Sequence, residues 1–84
     1  MTWYKISDVY HDEFNLLMSV IKTHVYYQND LFELKVYKVE FKDYVDIYLE
    51  TSNCVFIERL EVLFPTKCMM PEVNLGEPVF SSFI

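Results

Sequence analysis

Asp8, His11 and Asp12 stand at i, i+3 and i+4, so on an α-helix they would share one face and offer two carboxylates and an imidazole to a divalent metal. No further ligand of comparable quality is evident nearby. An acidic helix N-terminus with an exposed histidine accounts for the same residues, and no metal ligand is assigned. His11 and His24 are the only histidines, and thirteen residues of helix turn one about 220° from the other, so they do not converge. A nucleophilic Cys54 would need a histidine supplied by tertiary contacts, and its plainer reading is a small buried strand residue. A single glycine cannot build a P-loop or a dinucleotide turn. General acid and base pairs could be drawn from any two of thirteen carboxylates, so none is singled out. Neither an enzymatic activity nor a cofactor is therefore expected.

The residues with the strongest surface character lie in ELKVYKVEFKDYVDIYLE, from Glu33 to Glu50. Glu40, Asp43, Asp46 and Glu50 interleave there with Tyr44 and Tyr48, and Glu58 and Glu61 continue the series, against only Lys42 and Arg59 between residues 40 and 61. One reading makes these the solvated side of a half-buried sheet. The other takes Glu40, Asp43, Tyr44, Asp46, Tyr48 and Glu50 as a partner-binding face, because tyrosine is enriched at interfaces and a carboxylate array can dock on a basic surface.

Overall charge sharpens that choice of partner. Thirteen acidic and seven basic residues leave a net charge of -6, which disfavours direct binding to a phosphate backbone. No apolar run approaches the roughly 18 to 20 residues needed to cross a bilayer, and the N-terminus lacks the h-region of a signal peptide. Cys54 and Cys68 without a CxxC spacing fit reduced thiols better than a disulfide framework. A cytoplasmic location without membrane association is expected. Alanine is absent, while Phe and Tyr occur seven times each. A composition so rich in residues with AT-rich codons implies a low-GC bacterium, or a phage or virus living in one.

The function expected from these features is a small acidic, non-enzymatic binding protein, a phage or mobile-element inhibitor that occupies the basic nucleic-acid-binding surface of a host protein. Two alternatives come from other classes. One is an assembly subunit that self-associates as a homo-oligomer through its apolar C-terminal end. The other is a small metal-binding protein built on Asp8, His11 and Asp12.

The elements that must position these residues follow from periodicity. Trp3, Tyr4 and Ile6 read as a short strand, and Ser7 or Asp8 as the cap of a helix with Asp12 and Glu13 in its first turn. Tyr10, Phe14, Leu17, Ile21 and Val25 form the helical stripe, and Gln28, Asn29 and Asp30 the loop after it. Two registers compete for the next hairpin. A two-residue turn at Lys42 and Asp43 sets Glu40 opposite Val45 and Lys38 opposite Ile47, mixing charge with aliphatic side chains. A three-residue loop, Lys42 to Tyr44, instead pairs Phe41 with Val45, Val39 with Ile47 and Tyr37 with Leu49, and is preferred on hydrophobic matching.

Apolar residues then change parity between Val36 and Tyr37, which a β-bulge there would explain. A turn at Thr51, Ser52 and Asn53 extends the meander to Val55 and Ile57, and Leu60, Val62 and Phe64 suggest a fourth strand stopped by Pro65. Residues 65–84 hold all three prolines and the one glycine and read as irregular. The chain is expected to form one compact α+β domain over residues 1–84, with one N-terminal helix packed on a three- to four-stranded antiparallel sheet.

Overall fold

The computed structural model describes residues 1–27 and 32–82. The expected loop at Gln28, Asn29 and Asp30 therefore lies outside the described residues, as do the last two residues of the chain. Within them the protein is an α+β fold, with two helices packed on one face of a five-stranded antiparallel sheet.

Strand β1 runs from Thr2 to Tyr10, longer than the segment Trp3 to Ile6 suggested, and buries Ile6 and Val9. Its register against the central strand shifts between Ile6 and Val9, where Asp8 adopts φ 59°. That left-handed conformation is tolerated by Asp and inserts one extra residue into β1, a β-bulge. The expected helix cap at Ser7 or Asp8 is thereby corrected, because Val9 and Tyr10 remain in the strand, paired with Val45 and Tyr44. Helix α1 begins directly afterwards, His11–Tyr27, with Asp12 and Glu13 in its first turn and His24 in its last, as the helix dipole favours. Its buried stripe is Leu17, Met18 and Ile21, flanked by half-buried Phe14 and Val25, while Tyr10 belongs to the strand and is exposed.

Strands β2 (Leu34–Glu40) and β3 (Tyr44–Thr51) form a hairpin closed by Lys42 and Asp43. The Phe41 N–H donates to the Tyr44 carbonyl at 2.8 Å, and Glu40 faces Val45, Lys38 faces Ile47 and Val36 faces Leu49. The three-residue register preferred on hydrophobic matching is overturned, and no register shift occurs in β2 at Val36 and Tyr37. Lys38 resolves the apparent mismatch: its ammonium lies 5.3 Å from the Phe14 ring centroid on α1 and 2.7 Å from Glu40 Oε1. The long side chain snorkels over an apolar neighbour to reach its counter-charge at the rim.

Downstream, Thr51, Ser52 and Asn53 do not turn into another strand. Asn53 caps helix α2 (Cys54–Glu61), its Oδ1 accepting from the Phe56 N–H at 3.0 Å. The fully buried Thr51 hydroxyl donates to the Glu33 carbonyl at 2.8 Å and accepts from the Asn53 N–H at 3.2 Å, tying the start of β2 to the start of α2. Phe56, Ile57 and Leu60 form the buried stripe of α2, and Val55 and Cys54 face outward, so neither the expected third strand nor a buried Cys54 is present. A fourth strand through Leu60, Val62 and Phe64 is likewise absent. The Leu63 and Phe64 N–H groups fold back on the Leu60 carbonyl, and Val62 is 83% exposed.

The C-terminal segment then adds two short edge strands, β4 (Lys67–Cys68) beside β1 and β5 (Phe80–Ser82) beside β2, in the order β4-β1-β3-β2-β5. To join opposite edges, residues 69–79 must cross a face of the sheet. Helices α1 and α2 occupy the face that carries Ile6, Leu34, Val36, Val45, Ile47 and Leu49. The segment passes over the other, where Met69, Glu72 and Val73 lie against Lys5, Val39 and Tyr48. Hydrogen bonds fix both ends of this strap, Met69 N–H to the Trp3 carbonyl (3.1 Å) and Val79 N–H to the Val36 carbonyl (2.7 Å). Beneath it Tyr48 is 5% exposed, and the Trp3 and Tyr37 rings meet at 5.5 Å between centroids.

Substitutions at Ile47, His11 and Asn53 test this arrangement. Ile47 has no solvent exposure, so Ile47→Ala should cost about 2 to 5 kcal/mol in urea denaturation, whereas His11→Ala should change little. Equal midpoints for the two variants would contradict the assigned core. Asn53→Ala should cost about 1 kcal/mol through loss of the α2 cap, and Asn53→Asp should retain most of it; wild-type stability in Asn53→Ala would contradict the cap.

Candidate functional site

The six residues that the sequence suggested as one partner-binding face are divided by the strand geometry. Successive side chains alternate across a sheet, so Asp46, Tyr48 and Glu50 point to the strap side of β3, and Tyr44 shares that side at its start. Glu40 lies opposite Val45 and therefore on the helix side, and Asp43 is in the turn. Tyr48 is buried, and Asp46 keeps only 13% of its side chain exposed. Glu58 and Glu61 are on α2 and extend no sheet surface.

Asp46 is structural before it is anything else. One carboxylate oxygen accepts from the Asp8 N–H at 3.1 Å, holding the bulge in β1, and the other lies 3.4 Å from Lys5 Nζ. Lys5 in turn sits 5.4 Å from the Tyr48 ring centroid. Burial alone would lower the Lys5 pKa, but the Tyr48 hydroxyl and the Asp46 carboxylate outweigh it and hold the pKa above its ordinary value. At the rim, the Lys38 hydrogen bond and charge draw the Glu40 carboxyl below its ordinary range, with a smaller contribution from His11.

What the fold does bring together is the tip of the hairpin and the junction of β1 with α1. Tyr10 pairs with Tyr44, the Phe41 and Tyr44 rings stack at 4.8 Å and 19°, and His11 Nε2 lies 3.4 Å from the Lys42 carbonyl. Segments 8–13 and 40–46 thus converge, carrying Asp8, Asp12, Glu13, Glu40, Asp43 and Asp46 against Lys42 and the incoming Lys5 and Lys38. The aromatic group at this acidic end remains accessible, with Tyr10 57% and Phe41 43% exposed. Tyr10 had been placed on the helical stripe and Phe41 on the core face, so sequence reasoning missed both. No local signal marks them, since only a two-residue turn at Lys42 and Asp43, which hydrophobic matching disfavours, puts Phe41 across from Tyr44.

Among the described residues no three His, Cys, Asp or Glu side chains gather to hold a metal. Asp8, placed in the β1 bulge, does not share a helical face with His11 and Asp12. Among the same residues, no helix is long and apolar enough to cross a membrane. Cys54 and Cys68 are both exposed free thiols. No known protein family, no curated protein and no solved structure matches this chain.

The Lys5 linkage has a defined pH dependence. Its raised folded-state pKa means that the Asp46 and Tyr48 interactions stabilise the fold fully below the ordinary lysine value of 10.5 and are lost as pH climbs beyond it. The stability gap between wild type and Lys5→Met should therefore be constant from pH 7 to 9 and narrow above about pH 10.5. Thermal melts of both proteins across that range provide the comparison. A gap that stays constant to pH 11.5 would remove Lys5 from this role.

Proposed function

We propose that the protein is a small acidic, non-enzymatic binding domain that occupies a basic surface of a protein partner, in particular one that otherwise receives nucleic-acid phosphates. The observation that carries this reading is the acidic hairpin end, where an accessible Tyr10, Phe41 and Tyr44 group sits on two converging segments that also carry the exposed Asp12 and Asp43. Such an end combines the two components of a protein docking site. Aromatic rings supply apolar area that survives high salt, and the surrounding carboxylates steer a basic partner and select its orientation. Carboxylates presented where phosphates would sit make the protein a competitor of nucleic acid. The AT-rich coding implied by composition fits an inhibitor carried by a phage or mobile element of a low-GC host.

Asp46 and Tyr48, suggested by sequence as docking residues, are assigned here to the fold, because reversing Asp46 would strand Lys5 and release the bulge. Asp12 and Asp43 are exposed and suit the charge test instead.

The experiment begins with capture from a low-GC bacterial lysate under a salt gradient, followed by titration of the purified partner. Asp12→Lys combined with Asp43→Lys should cost about 1 kcal/mol of stability, through the α1 dipole at Asp12, and weaken binding at least tenfold at low salt, with the difference shrinking as salt screens the charges. Phe41→Ala should weaken binding at both ionic strengths. An oligonucleotide should compete with the protein for its partner. Unchanged affinity in the charge-reversed protein would overturn the reading, and recovery of the chain alone would favour self-assembly.

A further inference from the structure

Between the strap and the sheet lies a half-open cleft of about 200 Å³. Its floor is Val39, Phe41, Tyr48 and the Lys5–Asp46 pair, and its wall is Met69, Glu72 and Val73 from the strap. The cleft is continuous with the aromatic tip through Phe41, which stacks on Tyr44. Most of the lining is therefore apolar or aromatic, with one ion pair at the bottom and one carboxylate on the strap.

Charge selects the ligand class. Lys5 is engaged by Asp46 at 3.4 Å and lies against the Tyr48 ring, so its ammonium is already matched. Glu72 is exposed and makes no ion pair among the described residues. The lining thus carries one cation against two carboxylates, and an anionic ligand would face a net negative surface. A cationic side chain would add the charge that Glu72 lacks. Guanidinium suits such a cleft better than ammonium, since it is weakly hydrated, stacks on aromatic rings and engages a carboxylate through a planar fork.

We infer that this cleft is a receptor for one arginine side chain of the basic partner, its alkyl stem against Val39, Met69 and Val73 and its guanidinium between Phe41 and Glu72. This assignment rests on the reading of the protein as a ligand for basic surfaces and adds to it a specific anchor beside the acidic tip. It predicts discrimination for arginine over lysine, which diffuse attraction between unlike charges would not produce.

The test uses the intact isotope-labelled protein and follows its backbone amide signals during titration with N-acetylarginine amide, its lysine counterpart and the uncharged citrulline isostere. Octalysine serves as a separate probe of the acidic tip. Arginine should give saturable shifts at Val39, Met69 and Val73, lysine should bind about tenfold more weakly, and citrulline should leave these signals in place. Glu72→Gln should reduce arginine affinity about tenfold, and Phe41→Leu, which keeps apolar bulk without a ring, should also reduce it. Glu72 is exposed, so Glu72→Gln should retain the wild-type melting temperature, and Phe41→Leu should lower it only by the lost stacking on Tyr44, about 1 kcal/mol. Equal responses to arginine and citrulline, or wild-type affinity in Glu72→Gln, would overturn the proposal. If octalysine shifts Asp12 and Asp43 while arginine leaves the cleft silent, the cleft assignment fails and the acidic docking end stands; silence at both sites removes both.

Discussion

The central strand β3 is buried from both sides, and this constraint organises the rest of the molecule. On one face α1 and α2 bring Leu17, Ile21, Phe56, Ile57 and Leu60 to Val45, Ile47 and Leu49. On the other, the strap from β4 to β5 crosses above Asp46 and Tyr48. An 84-residue chain has little interior to spare, and covering both faces of one sheet raises the buried fraction of its large side chains. Pro71 and Pro78 within that segment are compatible with that role. An extended crossing segment needs few internal hydrogen bonds, and its restricted backbone loses less entropy on ordering.

Two-sided burial also explains where the polar groups sit. A carboxylate under the strap would be an isolated charge in poorly solvated surroundings, and Asp46 avoids this by serving the Asp8 N–H and the Lys5 ammonium at once. The left-handed Asp8 and the ion pair thus stabilise one another, since the bulge delivers the N–H that Asp46 accepts. Lys38 is the counterpart on the helix side, with its stem over Phe14 and its ammonium at Glu40. Lys38 keeps its charge by reaching the rim of the layer that buries its stem, and Lys5 by pairing with Asp46 beneath the strap.

The same geometry separates structural acids from those available to a partner. Carboxylates near the middle of the sheet are matched internally, and those at the hairpin end, Asp12 and Asp43 among them, face solvent beside Tyr10 and Phe41. The acidic end and the strap cleft adjoin through Phe41, so a basic partner seated on the one would reach the other. Long-range attraction and a shaped anchor would then act together, the former setting encounter and the latter residence.

Much of the framework was legible in the residues. The α+β class, the body of α1 through Phe14, Leu17 and Ile21, the existence of the β2–β3 hairpin and the burial of Ile47 all follow from local periodicity, which depends on neighbours a few residues apart. The register of that hairpin was not legible. Hydrophobic matching presumes one dry face and one wet face, and the strap dries the second, so Tyr37 and Val39 are apolar for a reason located some thirty residues downstream. Lys42 and Asp43 offer no Asn-Gly signature that could have set the turn length instead. Helix α2 was hidden for a related reason. Asn53 serves equally as a turn residue and as an N-cap, and Phe56, Ile57 and Leu60 show their shared face only once α1 and the sheet stand opposite them. The acidic character belonged to the composition, but which carboxylates are engaged within the fold and which face outward was decided by tertiary structure, because burial and pairing depend on segments distant in sequence that meet only in the folded chain.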